Sequence, residues 1–218
     1  MYLGTDFHRY WARCGRNKIH PDDAAYLADV NSPFNHKLLP CPFDGPLNKA
    51  KVVICLSNPS DGYMQDADEV NRWVMEMRSG EESLPLIFDG FYKGICKPIC
   101  VPLDELRSKV AVLNVCPYSS KELNAVAVRK SLGLPSVWQA QQYLREVLIP
   151  RAQTGNIYLI LIRKLSLWGV TEGLEKAGGL HVIRGRAING VMPENVGQEI
   201  GQWLIRKRHI TNPSQCEC

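Results

Sequence analysis

No stretch of this 218-residue chain approaches the roughly 18 consecutive apolar residues that a membrane span requires. The longest apolar run, Ile157 to Ile162, is the size of one buried strand. The opening residues Met1-Tyr2-Leu3-Gly4-Thr5-Asp6 lack the basic-then-apolar order of a secretory signal. There is no internal repeat and no low-complexity segment. Charge of one sign is scarce as well: 26 Lys and Arg against 22 Asp and Glu leave a net +4. That balance permits nucleic-acid contact without arguing for it, because clustered patches matter more than totals. Asn58-Pro59-Ser60 and Asn212-Pro213-Ser214 are barred from glycosylation by their central proline. The five histidines, His8, His20, His36, His181 and His209, show no metal-ligand spacing, and His181 reads as a structural strand residue.

What is present is ordinary globular material. The apolar fraction is 45% and the charged fraction 22%, close to the averages for folded domains. Eight cysteines are scattered along a chain far longer than a disulfide-stapled secreted domain, which predicts a reduced, cytoplasmic protein with no membrane partner. Cys55 and Cys116 fall in or beside predicted strands, where a free cysteine behaves as a small hydrophobe. Cys96 and Cys100 are four apart, but Cys14 and Cys41 are distant in sequence, so no metal site and no cofactor is predicted. The pair Cys216 and Cys218 belongs to a polar tail.

The pattern predicts one α/β domain: a helical N-terminal segment over 1–40, a core over 41–208 and a tail over 209–218. Asp6 is placed to cap a helix reaching about Cys14, and Pro21-Asp22-Asp23 opens a second, with acids at its positive end. Residues 31–49, broken by prolines and Gly45, read as loop. Strands are expected at Lys51–Ser57, Val110–Val115, Asn156–Ile162 and Leu180–Ile183, the last with room to extend to Ile188. Helices are expected over 64–78, over 136–148 with Ser136 as cap and Pro150 as stop, around 166–176, and from Pro193 to about Arg208. Strands alternating with helices predict a three-layer α/β/α fold on a four-stranded, mainly parallel sheet. The basic run Arg206-Lys207-Arg208-His209 complements the dipole at the end of the last helix.

Two of the strands end alike. Lys51-Val52-Val53-Ile54-Cys55-Leu56 stops at Ser57-Asn58-Pro59-Ser60, and Val110-Ala111-Val112-Leu113 stops at Asn114-Val115-Cys116-Pro117-Tyr118. Ligands of open α/β sheets bind beyond the carboxyl ends of the strands, so two carboxamides at neighbouring strand ends are candidates to converge on one small polar ligand.

These stretches, with Pro42-Phe43-Asp44-Gly45-Pro46 before them, resemble the uracil-DNA glycosylase superfamily, over roughly residues 40–208. In that family a first strand ends in an Asp-Pro or Asn-Pro turn that positions the hydrolytic water, and Asn58-Pro59 is similar to the Asn-Pro version of the mismatch-specific branch. A second strand ends in an Asn that hydrogen-bonds the flipped base, as Leu113-Asn114-Val115 does by resemblance. The chain departs from the pattern after the fourth strand. There the family carries His-Pro-Ser or Asn-Pro-Ser, whereas Ile183-Arg184-Gly185-Arg186-Ala187-Ile188-Asn189-Gly190-Val191-Met192-Pro193 holds neither His nor Ser.

The resemblance implies a DNA or nucleobase-containing partner and metal-free hydrolysis of an N-glycosidic bond. A base must leave the stack before that bond is reached. Asn114 offers a donor and an acceptor to an amide-like base edge. Asn58 orients water but takes no proton, so Asp61 is the candidate base. Arg184 or Arg186 stands in for the missing histidine at the leaving anion. Ser57, Pro59 and Ser60 line the turn, and Tyr63, Phe88, Phe91 and Tyr92 are candidates to stack on a flipped base. A second reading keeps the fold and pocket without catalysis, as a nucleic-acid or protein binding module. A third uses Ser60 or Cys116 as a nucleophile, although neither has an evident His partner.

Overall fold

The apolar runs become strands in the computed structural model of the protein, which describes residues 7–28, 32–61, 67–79, 97–162, 165–170, 180–183 and 192–211, with residues 79, 180–183 and 207–211 described by backbone alone. In chain order the regular elements are α1 (Phe7–Ala12), α2 (Ala24–Leu27), β1 (Phe43–Asp44), β2 (Val52–Leu56), α3 (Ala67–Ser79), α4 (Leu103–Lys109), β3 (Val110–Asn114), α5 (Ala125–Leu132), α6 (Pro135–Tyr143), α7 (Ile149–Gln153), β4 (Tyr158–Ile162), β5 (Leu180–Ile183) and α8 (Glu194–Thr211). The sheet runs β1-β3-β2-β4-β5. Its last four members are parallel, with Leu56 opposite Asn114 and Cys55 opposite both Leu113 and Leu161. No described helix is long and apolar enough to cross a membrane.

Alternation along each strand divides the core into two halves. Val53, Cys55, Ala111, Leu113, Leu159 and Leu161 face a layer built from α1, α3, α6 and the 165–168 turn, with Trp11, Val74, Leu144 and Trp168 among its buried members. Val52, Ile54, Val110, Val112, Ile160 and Ile162 face Ile99, Leu106, Ile200 and Leu204. Strands buried on both faces read as continuous apolar runs, which is why they were visible in the sequence.

The structure corrects four expectations. The stretch read as loop holds a fifth strand, β1, antiparallel to β3, with Phe43 opposite Leu113 and Asp44 opposite Val112. Two residues are too short to carry a periodicity. The sequence pattern does not mark helices α4 and α5, although Asn124 caps α5 by accepting from the Ala127 N–H at 3.0 Å. Pro150 does not end its helix: a π turn over Leu144–Leu148 shifts the bonding, and the Ile149 N–H reaches the Leu144 carbonyl. Pro150 then falls in the first turn of α7, where a missing N–H costs nothing. Finally, Ser136 is not the cap of α6. Leu134 holds that position, and the Ser136 N–H donates 3.0 Å to Asp23, 113 residues earlier.

That last bond belongs to a buried polar network docking the N-terminal segment. His20 and Asp23 are completely buried. Asp23 makes no side-chain bond to its own helix; besides Ser136 it accepts from the Tyr118 hydroxyl at 2.6 Å. The Tyr118 oxygen accepts in turn from the His20 N–H at 3.1 Å. His20 Nδ1 accepts from the Asp22 N–H at 3.2 Å, so the neutral tautomer donates from Nε2 to the Tyr10 carbonyl at 3.0 Å. Its ring stacks on Tyr10, 4.0 Å between centroids.

Burial holds the His20 pKa below the ordinary histidine value, outweighing the Tyr10 carbonyl and the Asp23 and Asp22 carboxylates, which pull it up; Arg13 acts with burial. His36 is held down as well, by burial and then by Lys130. Both groups take up protons in the unfolded chain before they do in the folded one. Their stability contribution is therefore complete above about pH 6.5 and is lost as pH falls below it, with a slope of about 1.4 kcal/mol per pH unit for each proton. Urea unfolding at pH 7.5 and 5.5 is expected to show this loss, and His20→Gln is expected to reduce the slope.

Candidate site at the carboxyl edge of the sheet

From β2 the chain moves to β3 on one side; from β4 it moves to β5 on the other. Adjacent strands whose connections diverge form a topological switch point, the usual ligand crevice of such sheets. The turn after β2 lies at this point. Its residues continue to pair with the segment after β3: the Val115 N–H donates to the Leu56 carbonyl at 3.1 Å, Cys116 N–H to Ser57 at 2.9 Å and Ser120 N–H to Pro59 at 3.3 Å, and Ser60 bridges Ser120.

Asn58, half-buried in this turn, directs its Nδ2 at three acceptors. These are the Pro59 carbonyl at 3.0 Å, the Ser120 Oγ at 2.9 Å and the Tyr118 carbonyl at 3.4 Å. Two carbonyls around one terminus fix which end of the amide is nitrogen. Among the described residues Oδ1 has a single long contact, from the Ser57 Oγ at 3.4 Å.

Asn114 is treated in the same way from the other side. Its backbone N–H donates to the Pro42 carbonyl at 2.8 Å and its Nδ2 to the Cys41 carbonyl at 3.0 Å. Its Oδ1 is buried and has no partner among the described residues. Such an atom costs about 1–3 kcal/mol of desolvation and calls for an explanation. The loop that Asn114 grips is braced in turn by Arg78, only 5% exposed, which donates to the carbonyls of Gly15 at 3.1 Å and Pro40 at 2.7 Å.

The two carboxamides thus stand at neighbouring strand ends, Asn58 bonded to the loop after β3 and Asn114 to the loop before β1. Both spend nitrogen on the protein and keep oxygen. Ser57, Pro59 and Asp61 are half-buried around Asn58, and Ser60 is exposed. Tyr63, Phe88, Phe91, Tyr92, Arg184 and Arg186 lie outside the described residues.

The nucleophilic reading of Cys116 fails. Its side chain is fully buried and burial pushes the thiol up to about 12, so it supplies no thiolate at neutral pH. Cys14, Cys41 and Cys55 are buried thiols as well, and Cys100 is exposed. Alkylation of the native protein at pH 8, mapped by mass spectrometry, is expected to modify Cys100 and to spare Cys14, Cys41, Cys55 and Cys116 until the protein is unfolded. Among the described residues no group of three or more His, Cys, Asp or Glu side chains is arranged to hold a metal ion.

Sequence reasoning missed Tyr118, Ser120 and Asp23 as parts of this site. The Pro117 turn marked the place, but a carbonyl acceptor leaves no trace in residue identity. Comparison with protein-family models, with curated proteins and with solved structures finds no match for this chain.

Proposed function

We propose that this protein recognises a nucleobase at the carboxyl ends of β2 and β3, in the manner of a uracil-DNA glycosylase, and hydrolyses its N-glycosidic bond without metal. One observation carries the reading: both strand-end carboxamides are anchored by nitrogen and leave their oxygen without a strong partner among the described residues, which suits one ligand N–H and one water. Asn114 Oδ1 accepts from the N–H of an amide-like base edge, and its second amide hydrogen remains for a base carbonyl. Asn58 Oδ1 accepts from the water that attacks the sugar. Asp61, three residues on, takes the proton. Arg184 or Arg186 offsets charge on the departing base.

A second reading is favoured by the bracing role of Asn58: a group that holds a loop and takes no proton also fits a module that binds a base without cleaving it. Base release decides between the two. Labelled single strands and duplexes carrying U·A, U·G or deaminated purines are incubated with the protein and with Asn58→Ala. Release that disappears in the variant supports the enzyme. Retained binding without release at high protein concentration supports the module, and neither release nor binding sinks both.

A further inference from the structure

We propose that Tyr118 and Asp23 form a positioning relay that fixes the Asn58 carboxamide from the buried side of the 115–120 loop, making the N-terminal helical segment a working part of the site. The functional consequence rests on the base-recognition reading; the geometry does not.

Asn58 is oriented by acceptors on two chain segments. Pro59 is its own neighbour and cannot set its position relative to the rest of the sheet. The other two acceptors, the Tyr118 carbonyl and the Ser120 hydroxyl, both ride on the loop after β3. Where this loop sits therefore decides where Asn58 points. Residue 118 is buried, 1% exposed, with its ring centroid 5.6 Å from that of Phe34 and 6.2 Å from that of His36. The same residue carries the Asn58 acceptor on its main chain and the phenol on its side chain.

The phenol ends on Asp23 at 2.6 Å, a short bond to a group that also takes the Ser136 N–H in the first turn of α6. A carboxylate receiving a hydroxyl and a helix N–H is held on two sides, and hydrogen bonds to charged acceptors are the stronger kind. Burial and Asp23 keep the Tyr118 hydroxyl protonated and donating. The chain of contacts runs α6 to Asp23 to Tyr118 to Asn58 without a water. The bonds from Cys41 N–H to the Pro117 carbonyl and from Asn35 N–H to the Ser119 carbonyl, each at 2.8 Å, together with those that Val115, Cys116 and Ser120 make to the turn after β2, hold the loop when the phenol is removed. Loss of the hydroxyl thus loosens the relay without dismantling the loop.

The direct probe is the Asn58 side-chain amide in ¹⁵N-labelled protein, assigned by its disappearance in Asn58→Ala. In Tyr118→Phe both Nδ2 proton resonances are expected to shift, and their exchange with water is expected to quicken roughly tenfold. Unchanged Asn58 resonances in a folded Tyr118→Phe protein would overturn the relay, even with a lowered Tm, because Tyr118 would then be structural only. If Tyr118→Phe does not fold, Asp23→Asn keeps the shape and an acceptor while removing the charge. The same shifts at smaller amplitude are expected there, and their absence overturns the proposal equally. In the base-release assay Tyr118→Phe is expected to lower kcat about tenfold with KM little changed, and to add nothing to Asn58→Ala. A wild-type protein that releases no base removes the functional reading, while the amide spectra still decide the relay.

Discussion

Gly201→Ala is expected to destabilise the fold by about 3 kcal/mol, because there is no room for a methyl group where α8 meets the 97–99 turn. A Cβ at Gly201 would lie 2.3 Å from the Ile99 carbonyl oxygen, and one at Gly197, a turn earlier, 2.3 Å from the Pro98 Cβ and 2.7 Å from its carbonyl carbon. Both obstacles include backbone. The turn they press on is itself committed, since Ile99 is buried in the second core half beside Ile200, and Cys100 follows it with a φ of 56°. That left-handed conformation lets the chain leave the turn without backing away from the helix. Opening a 2.3 Å approach to 3.0 Å parts helix and turn by about 0.7 Å, and the packing of Ile200 and Leu204 loosens with them. For a chain of this size the loss corresponds to a fall in Tm of about 6–12 °C. Thermal and urea unfolding read it directly, and Gly197→Ala is expected to behave similarly. Gly133→Ala serves as the control, because a Cβ there meets only the Lys130 carbonyl at an ordinary 3.6 Å.

Asn58→Ala is expected to lower turnover about 100-fold, the scale of a misplaced reacting group, at a stability cost of about 1 kcal/mol. The small stability loss follows from the half-buried position of Asn58. On the proposed reading, the larger loss of turnover follows from removal of the oxygen that would hold the water. The tempting gain-of-function change is expected to fail. Asn58→Asp supplies a base, but its second oxygen would take the place of Nδ2, facing the Pro59 and Tyr118 carbonyls at 3.0 and 3.4 Å. Two carbonyls repel a carboxylate oxygen, so the side chain must swing away or take up a proton. The expected outcome is lower stability at neutral pH and no gain in rate. The neighbours explain why this turn carries Asn instead of Asp: the position demands a donor.

The sheet was legible in the sequence wherever burial was complete. Val52–Leu56, Val110–Asn114 and Tyr158–Ile162 are apolar because helices cover both faces, and Leu180–Ile183 is a strand as expected. Strand β1 escaped because two residues carry no period, and α5 escaped because Val126 and Leu132 lie exposed on it and blur its apolar face. Pro150 misled because a proline signals a stop only if the bonding register before it is α-helical, and the π turn is not readable from residue identity. Asp23 shows the general difficulty. At the start of a helix it reads as a local cap, yet its partners are Ser136 and Tyr118, each about a hundred residues away in the chain. Of the site, the sequence exposed the two strand-end asparagines. The direction of their amides was hidden, since it is set by the carbonyls of Cys41, Pro59 and Tyr118 and by the Ser120 hydroxyl.

Those amide directions make the central claim testable at one atom of the ligand. The measurement is the affinity of the protein, with turnover suppressed by Asn58→Ala, for a single strand carrying one deoxyuridine and for the same strand carrying 3-methyldeoxyuridine. Methylation removes the base N–H that Asn114 Oδ1 is held to accept. The expected result is a loss of about tenfold or more on methylation, as for a buried acceptor left without its donor, and no such difference in a protein that also carries Asn114→Ala. Equal affinity for the two strands, or a difference that survives Asn114→Ala, would contradict base recognition at this site.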